Sequence, residues 1–288
     1  MKVLVTGIGG QLGHDVMKHL DALGIDHIGA DRAEFDITDQ AATEAFILGY
    51  MPDVVVHCSA YTAVDKAEEE KQKCFEVNTV GTENIAKVCK KIDAKMMYFS
   101  TDYVFPGQGD QFYEVDDVTD PLSQYGATKL AGELAVKRYL EKYFIVRISL
   151  VFGVNGHNFI KTMLRLGKTH DEVRVVDDQI GSPTYTDDLS VLICDMIQTE
   201  KYGTYHATNE GICSWADFTE EIFRQAGIAS CHVKHVTTEE YGLSAAVRPF
   251  NSRLSKKSLD EAGFHRLPAW QDALHRYLIE LGEIEETK

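Results

Sequence analysis

KVLVTGIGGQLG, residues 2–13, joins an apolar run to a glycine-rich turn. An apolar run, KVLVT, passes directly into glycines, and GHDVMKHLDALG (13–24) then shows helical periodicity. Gly7, Gly10 and Gly13 therefore stand at a strand–helix junction with GxxGxxG spacing. In such a junction one glycine permits a tight turn, another lets backbone approach a pyrophosphate, and a third lets the helix pack close to the sheet. The helix N-terminus adds free amides and the positive end of its dipole. In this context the loop predicts a dinucleotide site.

Downstream the same alternation continues. DHIGAD (26–31), PDVVVHCSA (52–60), KMMYFST (95–101) and YFIVRISLVFG (143–153) read as strands. The helices between them are 37–50, with Thr38 as its N-cap, 73–92 and 123–140. Strands apolar throughout and separated by helices mean a parallel sheet covered on both faces. The predicted fold is α/β: a Rossmann-type doubly wound sheet carrying a smaller C-terminal α/β substrate-binding domain. The first domain is expected over 1–150 plus a returning segment around 185–210. The second is expected over 151–184 and 211–288. Within the later part, 158–168, 186–200, 214–227 (N-cap Ser214) and 268–286 read as helices, and 173–179 and 203–209 as strands.

The 288 residues are ample for a buried core, and the 44% apolar and 26% charged fractions are those of an ordinary soluble protein. The net charge of −16 disfavours nonspecific binding to nucleic acid or anionic membranes. No apolar run is long enough to span a bilayer, and the N-terminus lacks the pattern of a secretory signal. Six cysteines form no CxxC pair and fit no zinc spacing, so free thiols in a cytoplasmic protein are expected.

Asp31, at the end of the second strand, suits the hydroxyls of an adenosine ribose, whereas Arg32 suits a 2′-phosphate; NADPH and NADH both stay open. Asp36 follows where an adenine edge would lie, or else simply enters a helix. Tyr125 and Lys129 stand four residues apart in SQYGATKLAGE (123–133), one helical turn, so they can share a face. Spacing alone does not separate a solvated face from a proton donor with its tuning cation.

GxxGxxG, Tyr125-x-x-x-Lys129 and the upstream STD (100–102) together resemble the extended short-chain dehydrogenase/reductase family. The resemblance implies that Thr101 completes a catalytic set and that Asn78 shapes the helix beside the site. The chemistry suits these residue types. A carbonyl receiving hydride at carbon needs a proton at oxygen. A tyrosine can supply it, an adjacent ammonium can lower the tyrosine's pKa of about 10, and a threonine hydroxyl can polarise the oxygen.

Longer stretches are similar to one branch of that family. They are TGIGGQLG (6–13), AYTAVDKAE (60–68), STDYVFPG (100–107), YGATKLAGE (125–133), NFIKTMLRLGK (158–168), DQIGSPT (178–184) and RPFNSRL (248–254). The branch is the dTDP-4-dehydrorhamnose reductases. The resemblance implies reduction of the C4 ketone of dTDP-4-dehydro-β-L-rhamnose to dTDP-L-rhamnose, with NADPH or NADH, for cell-surface polysaccharide. It places Gly10, Gln11 and Leu12 on the phosphate loop, Asp36 and Ile37 at adenine, and Ser59, Ala60 and Tyr61 under the cofactor. Lys129 can also hold the nicotinamide ribose. Thr101 and Asp102 fall at the sugar. Arg248 and Arg253 are candidates for the diphosphate, or for a salt bridge. Asn158, Gln179 and Thr184 fall at the nucleotide pocket, and Trp215 at a helix start as core.

Two positions depart from the pattern. RISLVF (147–152) puts Leu150 where the family usually carries a tryptophan against the sugar, and HCSAYT (57–62) brings His57 and Cys58. His57 reads as structural. Leu150 keeps an apolar wall without an indole N–H and leaves the sugar open. A ketoreductase or epimerase for another nucleotide sugar, and a non-catalytic NADP-binding regulatory subunit, are the alternatives. Some relatives bind magnesium through acidic residues. Asp15, Glu283, Glu285 and Glu286 are the counterparts here, but a solvated acidic tail accounts for the latter three and no metal is expected. A monomer or homodimer is expected.

Overall fold

A computed structural model describes residues 1–242 and 244–285. The first half alternates β1 (Lys2–Thr6), α1 (Gln11–Ala22), β2 (Asp26–Ala30), α2 (Gln40–Tyr50) and β3 (Val54–His57). Two short helices follow, α3 (Val64–Ala67) and α4 (Lys71–Phe75), then a π-helical turn (Glu76–Gly81), α5 (Thr82–Ile92), β4 (Lys95–Thr101), α6 (Gln124–Tyr139) and β5 (Tyr143–Ile148). Next come β6 (Val151–Phe152), α7 (Phe159–Gly167), β7 (Glu172–Val176), β8 (Ile180–Gly181), β9 (Thr184–Tyr185), α8 (Thr186–Ile197) and β10 (Gly203–His206). The chain ends with β11 (Cys213–Ser214), α9 (Trp215–Gln225), β12 (His232–Val236), α10 (Thr238–Tyr241), β13 (Asn251–Ser252), α11 (Lys257–Ala262) and α12 (Trp270–Glu280).

The main sheet has the order β10-β5-β4-β3-β1-β2, and every pair in it is parallel. Val3–Val5 and Val54–Val56 are wholly buried, as strands covered on both faces must be. After β1 the chain moves to one side for β2 and then to the other for β3. That reversal opens a crevice beyond the carboxyl ends of β1 and β3, where such sheets bind ligands. A second core gathers Phe152, Tyr185, Phe218, Trp270 and Tyr277 between α7, α9 and α12 and the parallel pair β7–β12.

Several elements differ from the sequence reading. The cap of α2 is Asp39, whose Oδ1 accepts from the amides of Ala41 (2.8 Å) and Ala42 (3.0 Å). Thr38 instead donates to Asp36 Oδ1 (2.7 Å) in the turn just before the helix. The expected helix 73–92 carries the π turn at Glu76–Gly81. The expected strand 143–153 breaks after Ile148, where Leu150 has φ +46°, and β6 then pairs with β9 in a separate small sheet. A bulky side chain in the left-handed region is an outlier and marks a point the surrounding structure enforces. The last helix stops at Glu280, followed by Gly282 at φ +71°, and Glu286 lies outside the described residues. Ser214 caps α9 in a capping box with Asp217. Leu259 and Leu267, read as part of the smaller unit, pack in the core of the main sheet. The two-residue strands are too short to carry a periodic signal.

Candidate active site

The glycine loop is shaped by close approach. Gly7 has φ +73°, and a Cβ there would lie 2.7 Å from the Ser59 amide nitrogen at the end of β3. A Cβ on Gly13 would lie 2.3 Å from the Gly7 carbonyl oxygen, so α1 rests directly on the turn. Gly10 is the N-cap of α1 and brings no side-chain cap, leaving the first-turn amides facing the crevice without a competing oxygen. These features fit a pyrophosphate.

The smaller unit braces this loop. Gln11 Oε1 accepts from the Gly153 amide (2.8 Å) and from Asn158 Nδ2 (3.0 Å). Asn155 Nδ2 donates to the carbonyls of Gly9 (2.9 Å) and Gly10 (3.3 Å). Asn158 also caps α7 and donates to Tyr277 Oη (2.8 Å). Asp31 Oδ2 accepts from the Gly9 amide (2.8 Å), so Asp31 holds the loop as well as bordering the ribose position. Arg32 is largely exposed and pairs with Asp36 at 3.0 Å.

On the other flank, the buried His57 ties strand ends together. Thr82 Oγ1 gives its proton to the Asn78 carbonyl (2.8 Å), so it accepts from His57 Nε2–H (3.2 Å), and His57 Nδ1 accepts from Thr6 Oγ1 (2.8 Å). Burial, and then the charge of Lys129, push His57 down to about 3, which keeps it neutral. Asn78 clamps the backbone of Tyr61, accepting from its amide (2.8 Å) and donating to its carbonyl (3.1 Å). It is a helix-interior residue bonded to backbone, and that bonding fixes the 59–61 segment.

A single cleft of about 1070 Å³ runs from this loop across the ends of β1, β3, β4 and β5 into the smaller unit. Thr101, Tyr125 and Lys129 all line it, with Gly7, Gly10, Gln11, Leu12 and Gly13. Asp31, Arg32, Asp36, Ile37, Ser59, Ala60, Asp102, Leu150, Asn158, Gln179 and Arg248 line it too. Three expected residues do not. Tyr61 turns its hydroxyl outward to Glu70 (2.9 Å). Thr184 is buried and donates to the Ser149 carbonyl (2.7 Å). Arg253 folds back on Asn251 Oδ1 (2.9 Å). Arg248 is a salt bridge across the cleft, to Asp65 at 2.6 Å, with a bond to Tyr103 Oη at 3.2 Å. Trp215 packs on Phe159 as a core residue and also reaches the cleft wall.

Ser123 caps α6, and Tyr125 in its first turn and Lys129 in its second face the cleft. Lys129 is buried with its ammonium 4.2 Å from the centre of the Tyr98 ring. Burial brings it down to about 7, against the opposing charge of Glu133. Burial and then the Asp102 carboxylate push the Tyr125 hydroxyl up, against the lowering bond from Thr101. The sequence reading had Lys129 lowering Tyr125. Here the Asp102 charge outweighs that of Lys129, and the phenol holds its proton, the form that can donate.

Three groups near the site escaped the sequence reading. Asn155 sits in a loop whose only signal was its polarity. Ser252 lies between the two arginines of RPFNSRL, with no motif or periodic signal of its own. Glu133, four residues after Lys129 on the same face, makes a buried bidentate pair with Arg147 of β5, at 2.8 Å for each bond. Of the acidic residues weighed for a metal, Asp15 accepts from Thr186 and Glu283 pairs with Lys168. Beside Asp15, Lys18 bridges Asp187 (3.2 Å) and Glu280 (3.1 Å).

A doubly wound sheet with a glycine loop at its switch point, and Thr, Tyr and Lys in the same cleft, defines an NAD(P)H-dependent oxidoreductase of the short-chain dehydrogenase/reductase type. The chain belongs to the family described as RmlD substrate binding domain, whose model matches residues 1–282. It is 41% identical over 279 residues to the spore coat polysaccharide biosynthesis protein SpsK of Bacillus subtilis, covering 97% of each chain. It is 39% identical to a dTDP-4-dehydrorhamnose reductase of Streptomyces griseus, covering 94% of this chain and 91% of the relative. The solved dTDP-4-dehydrorhamnose reductase of Bacillus anthracis, a complex with NADP, superposes with TM-score 0.94 at 42% identity, over 97% of this chain and 99% of that one.

Proposed function

We propose that this chain reduces the C4 ketone of dTDP-4-dehydro-β-L-rhamnose to dTDP-L-rhamnose, a step toward cell-surface polysaccharide. The observation that carries the reading is that Thr101, Tyr125 and Lys129 share one cleft with the glycine loop. Bound at that loop, the nicotinamide cofactor supplies the hydride. Tyr125, protonated and buried, gives a proton to the ketone oxygen. Lys129 anchors the cofactor's ribose and offers a cation to the phenolate left behind. Thr101 donates a hydrogen bond to the oxygen as charge builds on it, a contribution typically worth a few kcal/mol. Leu150, after β5, and Gln179 of the smaller unit line the part of the cleft that would take the sugar nucleotide. Arg32, exposed at the ribose end, suits the 2′-phosphate of NADPH.

One observation supports a second reading. Leu150 lines the cleft in a left-handed conformation where the family's tryptophan is expected, so another 4-keto sugar nucleotide is the competing substrate. The test supplies dTDP-4-dehydrorhamnose, generated in place by the upstream enzymes, with NADPH, and identifies the product by chromatography. Formation of dTDP-L-rhamnose is expected. Turnover restricted to a different 4-keto sugar nucleotide establishes the second reading. Binding of NADP without turnover of any of them overturns both.

A further inference from the structure

We propose that Asp102 directs the hydroxyl of Thr101, and that Thr101 can donate to the substrate oxygen only when the Asp102 carboxyl carries a proton. The inference rests on the reductase reading of the cleft and adds a positioning residue to it.

Thr101 Oγ1 owns a single proton. It accepts from the Tyr103 amide (3.2 Å) and donates to Asp102 Oδ1 (2.9 Å), so toward the Tyr125 hydroxyl, which also bonds it, it can only accept while Asp102 is charged. An ionised carboxylate only accepts, so while Asp102 is charged the Thr101 proton is committed to it and none remains for a ketone oxygen. Turning the hydroxyl away would strip a buried charge of one of its donors, which is costly. With a proton on Oδ1 the bond reverses: Asp102 donates to Thr101, and the Thr101 proton is free for the substrate. The other oxygen, Oδ2, accepts from Ser252 of β13, so the proton falls on the side facing Thr101.

The surroundings make that protonation accessible. Asp102 is only 3% exposed, and no lysine, arginine or histidine among the described residues forms an ion pair with it. Tyr103 and Tyr125 face it as neutral hydroxyls, Lys129 lies one turn past Tyr125 on α6, and Arg248 beyond Tyr103 is neutralised by Asp65. Burial raises the carboxyl to about 6, against the lowering bonds from Ser252 and Thr101 and from the backbone amides of Asp102 and Tyr103. The group is thus charged above that region and neutral below it. The donor form of Thr101 is lost as pH rises through it.

The experiment is a pH profile of kcat/KM from pH 5 to 8.5, with NADPH and the 4-keto sugar nucleotide, for wild type, Asp102→Asn and Ser252→Ala. For wild type, a fall toward high pH is expected that levels off after a loss on the order of 10², the worth of one oxyanion donor. In Asp102→Asn the amide nitrogen donates permanently to Thr101, so this limb disappears. Ser252→Ala removes a bond that favours the charged form, so the limb moves to higher pH by about one unit. A limb unchanged in both variants, or a uniform loss at every pH, overturns the inference. If Asp102→Asn fails to fold, the direction of the Ser252→Ala shift decides. A substrate-free infrared titration of aspartate-labelled protein keeps the two readings separate. A protonated-carboxyl band near pH 6, absent from Asp102→Asn, is expected even if the sugar assignment fails. Its absence from wild type sinks this inference while leaving the reductase reading intact.

Discussion

Replacing Glu133 by alanine probes the ion pair that pins the candidate catalytic helix to the sheet. The side chains of Arg147 and Glu133 are 3% and 1% exposed and share two bonds of 2.8 Å. Without Glu133, Arg147 keeps, among the described residues, the Val115 carbonyl at 3.0 Å, a long contact to His206 Nε2 at 3.4 Å and the face of the Phe105 ring at 4.9 Å. Breaking such a pair by removing one partner costs about 3–5 kcal/mol, because a buried charge is left uncompensated. In a chain of this size each kcal/mol lowers Tm by about 2–4 °C, so Glu133→Ala is expected to lower it by roughly 6–20 °C. Replacing both members, Glu133→Leu with Arg147→Met, removes the charge together with its partner and is expected to recover most of that loss. Calorimetry without cofactor reads both effects. The same carboxylate is the largest influence holding Lys129 up against burial, so Glu133→Ala is also expected to depress Lys129 further. A Tm loss below 3 °C in the single variant, or a double variant less stable than the single one, refutes the reasoning.

Gly13→Ala drives a methyl to 2.3 Å from the Gly7 carbonyl; loss of NADPH binding by fluorescence titration is expected, and wild-type affinity would contradict the packing. Arg32→Ala is expected to weaken NADPH by about tenfold or more and leave NADH nearly unchanged, the worth of a charged hydrogen bond to phosphate; equal loss for both cofactors would remove Arg32 from the 2′ position. Leu150→Trp is expected to change kcat/KM for the sugar nucleotide at constant NADPH affinity; unchanged kinetics would mean the wall does not touch the sugar.

The fold was legible because its signals are local and redundant. KVLVTGIGGQLG states strand, tight turn and helix at once, and no residue but glycine meets the contacts at positions 7 and 13. The candidate site was legible only in part. Lining residues on strand ends, such as Thr101, follow from where the strand stops. Thr184 and Arg253 look polar and available in sequence, yet the fold spends them on the Ser149 carbonyl and on Asn251. Leu150 and the break after Ile148 were hidden because an apolar run carries no mark of a sheet change. Asp102 shows the deeper obstacle: its role depends on Ser252, 150 residues away, and that pairing exists only once the two units meet.

In the proposed reaction hydride reaches C4 of a 4-keto sugar nucleotide while Tyr125 supplies the proton. NADPH deuterated on the transferred face at nicotinamide C4, turned over with dTDP-4-dehydrorhamnose, tests it most directly by mass spectrometry and proton NMR of the product. One deuterium at sugar C4 is expected. Tyr125→Phe is expected to lower the rate by about 10²–10⁴ without loss of NADPH affinity. Deuterium elsewhere or nowhere in the sugar, or wild-type rates in Tyr125→Phe, would contradict the account.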